Sequence, residues 1–545
     1  MERNRFRSLS SSTQVKGKAL KRAGSVMLAV LAAGLFSVSG AQAAFVYSGD
    51  VTPDPATWIS TTTAYVGNTS TGTVTLNNGS NSTTRIVIVA NSLTGNGKVT
   101  VDGTGTAWST RLLVGYNGGT GIVSITNGGK VSSTDSNGDN IGYKGGTGTV
   151  IIDGPGSTLS DYKLTICTNA AGYSDKGTLS ITNGGAYSGK YVSVAVDGTD
   201  TGLVKVDGKG STLTVDNYFR TSNGTGTLYV TNGASASVGN LQMGINMDSK
   251  NYAVIDGVGS KLSASSYINM GSASYSQRFT DRLSISDGAA VTAASFNMYN
   301  SGSVILTTDI GRGSSLTVGG GTGILDNNGT IRLVAGAAAD NGTYTPISAG
   351  TWSGTGTVQA LGGIWDATNH TVTVTSAAAG AAGSALTADL ATTQRFLFTD
   401  GTGRQAGASF QAATSPTNLT LNAGSLSGGV LASLQGLLGA GQAVLSGWDF
   451  NVTEGYTAGD PVYLSLFAGS GHSLYDLNIW HYDGSAWSKV DASDLAYDNN
   501  LASFTATGLS GYAVSGTAPV PIPAAAWLLG SGLMGLVGLR RRTRG

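Results

Sequence analysis

The chain has 545 residues, no formal net charge, and charged residues at only 11% of its composition, against roughly 25% in an average soluble domain. A neutral chain offers no strongly basic surface, so we expect no nucleic-acid partner. The single cysteine, Cys167, excludes an internal disulfide framework. The length allows about two or three domains.

The first 43 residues have the order of a secretory signal peptide. Basic residues among the first 21 positions precede the apolar run AGSVMLAVLAAGLFSVSG and the small-residue site AQAA. We predict a signal peptide over residues 1–43, cleaved between Ala43 and Ala44, and therefore export through the inner membrane. The alternative is an N-terminal transmembrane anchor, which the short apolar core and the cleavage-type site disfavour.

Two short phrases alternate through the middle of the chain. The first reads VDGTGTAW, IDGPGSTL, VDGKGSTL and IDGVGSKL, with a weaker IGRGSSL, and the second reads VSITNGGKV or LSITNGGAY. The second glycines of the first phrase recur at a nearly constant interval: Gly105, Gly156, Gly210, Gly259 and Gly313. A third landmark, such as VGY or IGY, recurs about twice per interval. The structural unit is therefore predicted at about 25 residues, which indicates a solenoid or a similar array.

The side-chain pattern of these repeats is that of short strands. In GTLSITNGG, Leu179 and Ile181 alternate with Ser180 and Thr182, and a period of two places successive side chains on opposite faces of a sheet. Each run is short and ends in NG, DG or GG, residues that tolerate positive φ and form corners.

A coil of about 25 residues holds three such strands and three corners, and it buries its small apolar set only by stacking on its neighbours. We therefore predict an all-β fold with a right-handed parallel β-helix over residues 44–376, with about twelve coils and a length of about 60 Å. The alternative is a β-propeller, because the full period of two coils also matches the length of a four-stranded blade. The half-period landmark and the outward Ser and Thr favour the β-helix.

The two phrases resemble the passenger repeats of autotransporters, in which a GxGS-x-L phrase alternates with a G-x-L-x-I-x-NGG-x-V phrase. The matching residues are Gly154, Gly156, Ser157, Leu159, Gly177, Leu179, Ile181, Asn183, Gly184 and Gly185. The resemblance covers residues 95–365 and implies a β-helix displayed at a cell surface, without implying an activity. One feature departs from that family, since the elements predicted after the repeats include no translocation barrel.

The composition changes after TVTVTSAAAGAAGSAL. Residues 377–385 are predicted to form a linker of Ala, Gly and Ser, and residues 386–517 are less repetitive and richer in aromatic residues. Alternating runs such as DPVYLSLFAG, and the Asp-Gly turn between aromatic strands in HYDGSAW, predict a small antiparallel β-sandwich of immunoglobulin-like type. The segment GGVLASLQGLLGAG is predicted to contain a short helix.

Residues 518–545 form a three-part tail. The run AAAWLLGSGLMGLVGL carries no charge and is followed by Arg540, Arg541, Arg542 and Arg544. We predict a C-terminal transmembrane helix here, extended by the preceding residues and by snorkelling arginines. The arginines indicate the cytoplasmic side, so a chain that also has a signal peptide would hold its body outside the inner membrane.

This tail resembles a PEP-CTERM sorting signal of the VPxPA form. The resemblance is carried by the apolar span and by Val520, Pro521, Ile522, Pro523, Ala524, Arg540, Arg541 and Arg542. In that family an exosortase, a membrane cysteine protease, recognises the motif and cuts near it. The resemblance implies an exosortase as processing partner, exopolysaccharide or cell-surface glycans as binding partners, and a location at the surface or in the extracellular matrix of a Gram-negative bacterium. Ile522 stands where Glu is usual, and a plain membrane anchor is the alternative.

No set of residues in the sequence indicates catalysis, and we predict no catalytic residue, cofactor or metal. The three histidines, His370, His472 and His481, lack metal-ligand spacing. The cluster of Trp480, Tyr482 and Trp487 either stacks on sugar rings or packs between strands. Four repeat aspartates lie one long period apart, so we expect about two coils, roughly 10 Å, between corner residues rather than a catalytic pair: Asp102, Asp153, Asp207 and Asp256.

Two functions of different classes fit these features. The first is a non-enzymatic structural or adhesin-like surface protein, in which a rigid rod makes many weak contacts with polysaccharide or cells. The second is a secreted polysaccharide lyase or glycoside hydrolase on a β-helix scaffold, which the fold alone does not exclude. The low charge favours the first, whereas a surface cleft holding three or more charged residues would favour the second.

Overall fold

The computed structural model describes residues 45–168, 172–245, 249–272, 279–299, 302–310, 313–498 and 500–518. The predicted signal peptide with its cleavage site at Ala43 and Ala44 lies outside these ranges. The predicted sorting motif, transmembrane helix and arginine cluster, in residues 520–545, also lie outside them. Among the described residues, no helix has the length and apolar character needed to cross a membrane.

The first sheet of the repeat region has thirteen strands; the first pairs antiparallel with the second, and the other twelve run parallel to one another. Successive strands come from successive coils, so that Thr178 of one coil pairs with Leu203 of the next. The strands are Phe45–Gly49, Thr71–Leu76, Asn96–Asp102, Thr120–Thr126, Thr147–Asp153, Lys176–Thr182, Thr201–Asp207, Thr225–Thr231, Lys250–Asp256, Phe279–Ser286, Gly302–Asp309, Thr330–Val334 and Thr357–Leu361.

The second sheet has seventeen strands and covers the other sides of the same coils. Its longer strands bend in the middle, where the pairing register shifts, for example between Gly189 and Tyr191. The strands are Val51–Thr52, Thr63–Val66, Asn81–Val89, Ala107–Tyr116, Lys130–Ser132, Asp139–Tyr143, Thr158–Ser160, Lys163–Ile166, Ala186–Val194, Thr212–Thr221, Ser235–Met243, Lys261–Met270, Ala290–Met298, Ser315–Val318, Ile324–Asn327, Ile347–Ser348 and Thr351–Ser353.

Each coil therefore contributes one segment to the first sheet and two to the second, one before and one after the bend. This arrangement confirms the predicted β-helix with its coil of about 25 residues. The rod has about eleven turns, close to the predicted twelve. The continuous parallel pairing is incompatible with the alternative β-propeller, whose blades are separate antiparallel sheets.

Alternate side chains of each strand point into the rod and form its core. Val204 and Val206 are fully buried and lie in register with Leu179 and Ile181 of the preceding coil. The inward positions of all coils join in one continuous hydrophobic cluster. Burying one such side chain contributes about 1.5–3 kcal/mol. A single coil has only a small set of them and buries it by stacking on its neighbours, so stability comes from the stack of coils.

A column of seven glycines lies at the corner where each coil enters the first sheet: Gly72, Gly97, Gly121, Gly148, Gly177, Gly202 and Gly226. A Cβ on Gly148 would lie 2.3 Å from the carbonyl oxygen of Val114. The added Cβ would meet backbone atoms, so a larger residue does not fit at Gly148. The next two rungs carry Asn251 and Asp281 instead, which are buried and hydrogen-bonded to each other at 2.8 Å.

The two ends of the β-helix are covered by the chain itself. At the first end, Phe45–Gly49 pairs antiparallel with Thr71–Leu76, and the ring of Trp58 stacks on Trp108 at 5.5 Å. At the other end, a three-stranded antiparallel sheet follows the last coils, with the strands Gly342–Tyr344, Ile364–Asp366 and Thr371–Val374. Covered ends prevent the open edges of the stack from pairing with other chains.

Residues 378–517 form two six-stranded sheets around a common hydrophobic cluster. One sheet contains Ala378–Ala381, Arg395–Thr399, Gln405–Ser409, Val462–Phe467, Ala496–Asp498 and Leu501–Ala506, and the other contains Ala385–Asp389, Asn418–Ser425, Gln442–Glu454, Asn478–Tyr482, Trp487–Val490 and Gly511–Thr517. The short helix Gly428–Gln435 begins after Ser427, whose hydroxyl accepts a hydrogen bond from the amide of Val430. Three-residue 3-10 turns occur at Pro55–Thr57, Gly319–Gly321 and Leu474–Asp476. An immunoglobulin-like sandwich stays a prediction.

The C-terminal sheets lie alongside the first sheet of the rod. The hydroxyl of Tyr475 donates to Asp207 at 2.9 Å, and the ammonium of Lys205 lies 3.4 Å from the centre of the Tyr475 ring. Further along, the hydroxyl of Tyr252 donates to Asp491 at 3.0 Å. The outward side chain of Val254 is only 4% exposed because it belongs to the hydrophobic cluster of the C-terminal sheets. The later coils therefore have a covered first sheet and an open second sheet.

Candidate functional site

The repeat aspartates lie at corners of the rod, as the sequence predicted. Each carboxylate accepts hydrogen bonds from the next coil; Asp153, for example, accepts from the hydroxyl of Thr182 at 2.6 Å and the amide of Asn183 at 2.7 Å. The same pattern serves Asp102 and Asp207, while Asp256 accepts from Ser286. Aspartate coils alternate with Thr-Asn or Ser coils, so these repeat carboxylates do not lie on adjacent rungs. This alternation explains why the sequence repeats every two coils.

Two of the histidines and two residues of the aromatic cluster make contacts within the fold. The His370 ring stacks on Trp352 at 4.3 Å, and His481 shares a hydrogen bond with Ser510. The indole of Trp480 donates to Ser515, and the indole of Trp487 donates to Ser433 at the helix. Across the part of the chain that the structure describes, no three His, Cys, Asp or Glu residues are grouped to hold a metal ion.

An unbroken row of hydroxyl side chains runs along the second sheet, on the segments before the bend. We name it the hydroxyl column, and its eleven residues are paired rung by rung: Thr83, Ser109, Ser132, Ser160, Ser188, Thr214, Ser237, Ser263, Thr292, Thr317 and Ser348. Most of these side chains are exposed. The column presents a hydrogen-bonding group about every 4.8 Å on a flat face.

A second outward row lies after the bend of the same sheet. We name it the tyrosine–cation ladder, and its members are Tyr162, Lys163, Lys190, Tyr191, Tyr218 and Arg220. The rings of Tyr162 and Tyr191 are 5.6 Å apart, and those of Tyr191 and Tyr218 are 4.8 Å apart. The Lys190 ammonium lies 5.5 Å and 5.3 Å from the first two ring centres. The Arg220 guanidinium lies 4.7 Å from the Tyr218 ring.

The ladder continues along the rod as a row of amides. The amide of Gln242 donates to the hydroxyl of Tyr267, and the amide of Asn297 donates to Asn269 at 2.7 Å. From the rung of Lys163 to that of Asn297, the outward residues that the structure describes after the bend include no acid: Lys163, Thr165, Tyr191, Ser193, Tyr218, Arg220, Asn240, Gln242, Tyr267, Asn269, Ser295 and Asn297. This strip of the surface is therefore positive and aromatic, although the whole chain is neutral.

Comparison with protein-family models, with curated proteins and with solved structures finds no match for this chain. Its own surfaces are therefore the basis for assigning a function.

A cleft of about 410 Å³ lies where the later coils meet the C-terminal sheets. Its lining includes three carboxylates and one imidazole, from Asp256, Asp287, Asp498 and His472. Burial raises the pKa of Asp256 to about 7, and the neighbouring Asp287 contributes in the same direction. A neighbouring cleft of about 240 Å³ is lined by Tyr229, Tyr252, Lys489 and Asp491, among others. Each of these clefts has the size for a small ligand or the end of a sugar chain.

The sequence analysis missed both outward rows of the second sheet and the clefts. The members of each row lie one coil apart, so no contiguous motif contains them, and they become visible only when the coils are aligned in register. The sequence did contain a signal for the ladder, because the segments KYVSV and NYFRT each place a tyrosine, Tyr191 and Tyr218, at an outward position. The clefts depend on how the C-terminal sheets dock, for which the sequence carries no periodic signal.

Proposed function

We propose that the protein is an exported structural or adhesin-like component of the cell surface or extracellular matrix, without enzymatic activity, in a Gram-negative bacterium. The hydroxyl column supports this most directly, because eleven rungs keep a small hydroxyl at one outward position. A periodic row of this kind suits a periodic partner such as exopolysaccharide, through many weak contacts along its length. The rod would be right-handed, and residues 386–517 would form an immunoglobulin-like sandwich.

The proposal includes the route to that location. A signal peptide would direct export, and the tail would hold the chain in the inner membrane until an exosortase cuts near the motif. The five residues of the motif and the arginine cluster are the features that support this step: Val520, Pro521, Ile522, Pro523, Ala524, Arg540, Arg541 and Arg542.

Deletion of residues 520–545 tests the sorting step. Without an apolar stop and its arginines, the chain has nothing to hold it in the bilayer. We expect the truncated protein to reach the medium with no membrane-held precursor in pulse–chase fractionation, whereas the full chain passes through one. A double Pro521→Ala and Pro523→Ala variant, which keeps the span, should accumulate as the precursor. Unchanged retention of the truncated chain would contradict the sorting role.

Negative charge on the hydroxyl column tests the binding role. Ser188 and Thr214 are exposed, paired neighbours in the column, so Ser188→Glu with Thr214→Glu should leave the rod folded and disrupt its hydrogen-bonding face. We expect roughly tenfold less protein in the extracellular polysaccharide fraction, about 1.4 kcal/mol of lost binding. The matched control places the same two charges on exposed, paired positions of the first sheet, Asn96→Glu with Thr120→Glu, and should retain the wild-type amount. Equal loss in both variants would argue against the column.

One observation favours the second candidate function, a polysaccharide lyase or glycoside hydrolase. The cleft at the docked sheets holds three carboxylates and His472, which meets the criterion of three or more charged residues. A carboxyl with a pKa near neutrality, such as Asp256, is suited to general acid catalysis. The wild-type protein should show no turnover on a panel of acidic glycans. Turnover that disappears in Asp256→Asn, with the fold intact by circular dichroism, would replace the adhesin proposal with the enzyme.

A further inference from the structure

We propose that the tyrosine–cation ladder binds an anionic polysaccharide whose chain runs along the rod axis. This inference rests on the proposed function, in which the rod contacts polysaccharide, and it adds a second binding face beside the hydroxyl column and the charge class of the glycan. The partner is defined by its chemistry: a chain of sugar rings that carries carboxylate or similar acidic groups.

The charge of the ladder is the first observation. Lys163, Lys190 and Arg220 are cationic, and across the described ranges none of them forms an ion pair with a carboxylate. Behind the ladder, Asp161 is a buried acid, and its carboxylate accepts a hydrogen bond from Tyr187 within the rod. Burial raises the pKa of Asp161 well above its usual value, so Asp161 offers little negative charge to neutralise the strip. Asp216, at the bend, is an exposed acid close to Arg220 in sequence.

The geometry of the rings is the second observation. Tyr162, Tyr191 and Tyr218 come from three successive coils, and Tyr162 is 40% exposed. Aromatic rings present flat apolar faces of the kind that pack against the apolar faces of sugars. The cations touch the same rings, with Lys190 between two of them. Acidic groups on a glycan stacked over the rings would therefore lie beside positive charge.

The length of the strip is the third observation. The ladder and its amide extension cover six rungs, so the strip is about 24 Å long at roughly 4.8 Å per rung. This length suits several sugar units in a row rather than a single sugar. Asn and Gln side chains such as Asn240, Gln242 and Asn269 offer both donors and acceptors to sugar hydroxyls.

The test measures retardation of the full-length protein, purified in detergent, in gels that contain polygalacturonate, dextran or poly-glutamate. We expect polygalacturonate to retard the protein and dextran to have little effect. Raising the salt from about 0.05 M to about 0.5 M should weaken the retardation strongly, because exposed charges are screened. Poly-glutamate, which carries charge without sugar rings, should retard the protein less than polygalacturonate does.

Variants assign the effect to the ladder. Tyr191→Ala with Tyr218→Ala removes two stacked rings and should weaken the apparent affinity for polygalacturonate roughly tenfold. Lys190→Ala alters an exposed side chain and should weaken it about threefold. The matched control is Tyr47→Ala with Tyr173→Ala, two exposed tyrosines of the same rod that lie outside the ladder, and it should bind like the wild type.

The inference would be overturned if polygalacturonate did not retard the protein, or if dextran or poly-glutamate retarded it as strongly as polygalacturonate does. It would also be overturned if both Lys190→Ala and the double tyrosine variant bound polygalacturonate like the wild type. The fractionation of the full chain separates this inference from the proposed function. A protein found at the surface that ignores polygalacturonate would overturn the ladder assignment alone. A protein that stays in the cytosol would overturn the proposed function.

Discussion

Replacing Gly148 by alanine is expected to disrupt the middle of the rod. A Cβ at this position would lie 2.3 Å from the carbonyl oxygen of Val114 and 2.7 Å from the amide nitrogen of Gly142. Both contacts are backbone atoms, so no side-chain rotation relieves them. We expect a destabilisation of roughly 3 kcal/mol or more. Because each coil is stabilised by its neighbours, the loss should extend to the coils on both sides.

The measurement is urea unfolding followed by circular dichroism, together with limited trypsin digestion of the native protein. Gly148→Ala should lower the unfolding midpoint and open new cleavage sites in the adjoining coils, for example at Lys130 and Lys190. The matched control is Gly198→Ala, at an exposed glycine of the same rod with no atom within 4 Å of the added Cβ. That variant should change the free energy of unfolding by less than about 0.5 kcal/mol. Equal urea unfolding midpoints for the two variants would show that the close approach of backbone atoms does not restrict position 148 to glycine.

The second large effect is a loss of stability as the pH rises from about 4 to about 7. Burial raises the pKa of Asp139 to about 7. The pKa of the nearby Asp161 is raised well above its usual value by burial and by repulsion from Asp139. In the unfolded chain an aspartate titrates near pH 4. Between pH 4 and 7 the native state therefore holds a proton that the unfolded chain has released, so the free energy of unfolding falls as the pH rises through this window.

The surroundings of Asp139 do not compensate for its charge. One carboxylate oxygen accepts a hydrogen bond from the amide of Leu112 at 3.0 Å, and the other has no hydrogen-bond partner among the described residues. Arg111 lowers the pKa of Asp139 by its positive charge, and Asp135 raises it, but burial has the largest effect. Elsewhere in the rod, burial also raises the pKa of Asp200 and Asp281 to about 6, so several groups act in the same direction.

Asp139→Asn should remove much of this pH dependence. The side-chain oxygen of asparagine still accepts from Leu112, and no charge has to be buried at high pH. We expect the variant to be more stable than the wild type at pH 8 by roughly 2 to 4 kcal/mol, and similar to it at about pH 3, where the aspartate is protonated in both the native and the unfolded state. The measurement is the urea midpoint at several pH values. Asp216→Asn, which removes an exposed carboxylate from the same sheet, should keep the wild-type slope. A parallel pH profile for Asp139→Asn would rule out Asp139 as the cause.

Much of the fold was predictable because the repeats encode it locally. The alternation of Leu179 and Ile181 with Ser180 and Thr182 gives the inward and outward faces, and the glycines and asparagines at the corners set the coil length. Asn127, Asn183 and Asn232 do adopt positive φ at those corners. The corner role of the repeat aspartates followed from their spacing of two coils, which the pairing of Asp153 with Thr126 and Thr182 confirms.

The candidate sites were not predictable in the same way. Tyr191 and Tyr218 belong to different coils, and only the register shift at the bend brings their rings to 4.8 Å. The burial of Asp139 is equally hidden, because a carboxylate in a polar stretch of sequence is normally exposed. The covering of Val254 by the C-terminal sheets depends on contacts between segments that are far apart in the chain, such as those of Tyr252 and Asp491.

The sequence by itself determined the coil: its length, its three strand segments, its corners and the identity of its inward residues. These are properties of short segments, set by the period of two in strands and by the φ preferences of glycine and asparagine. The tertiary structure alone decided which outward residues become neighbours and which face stays open. That decision depends on exact register between coils and on docking of the C-terminal sheets, since a shift of one residue in a strand would turn every ladder side chain to the opposite face.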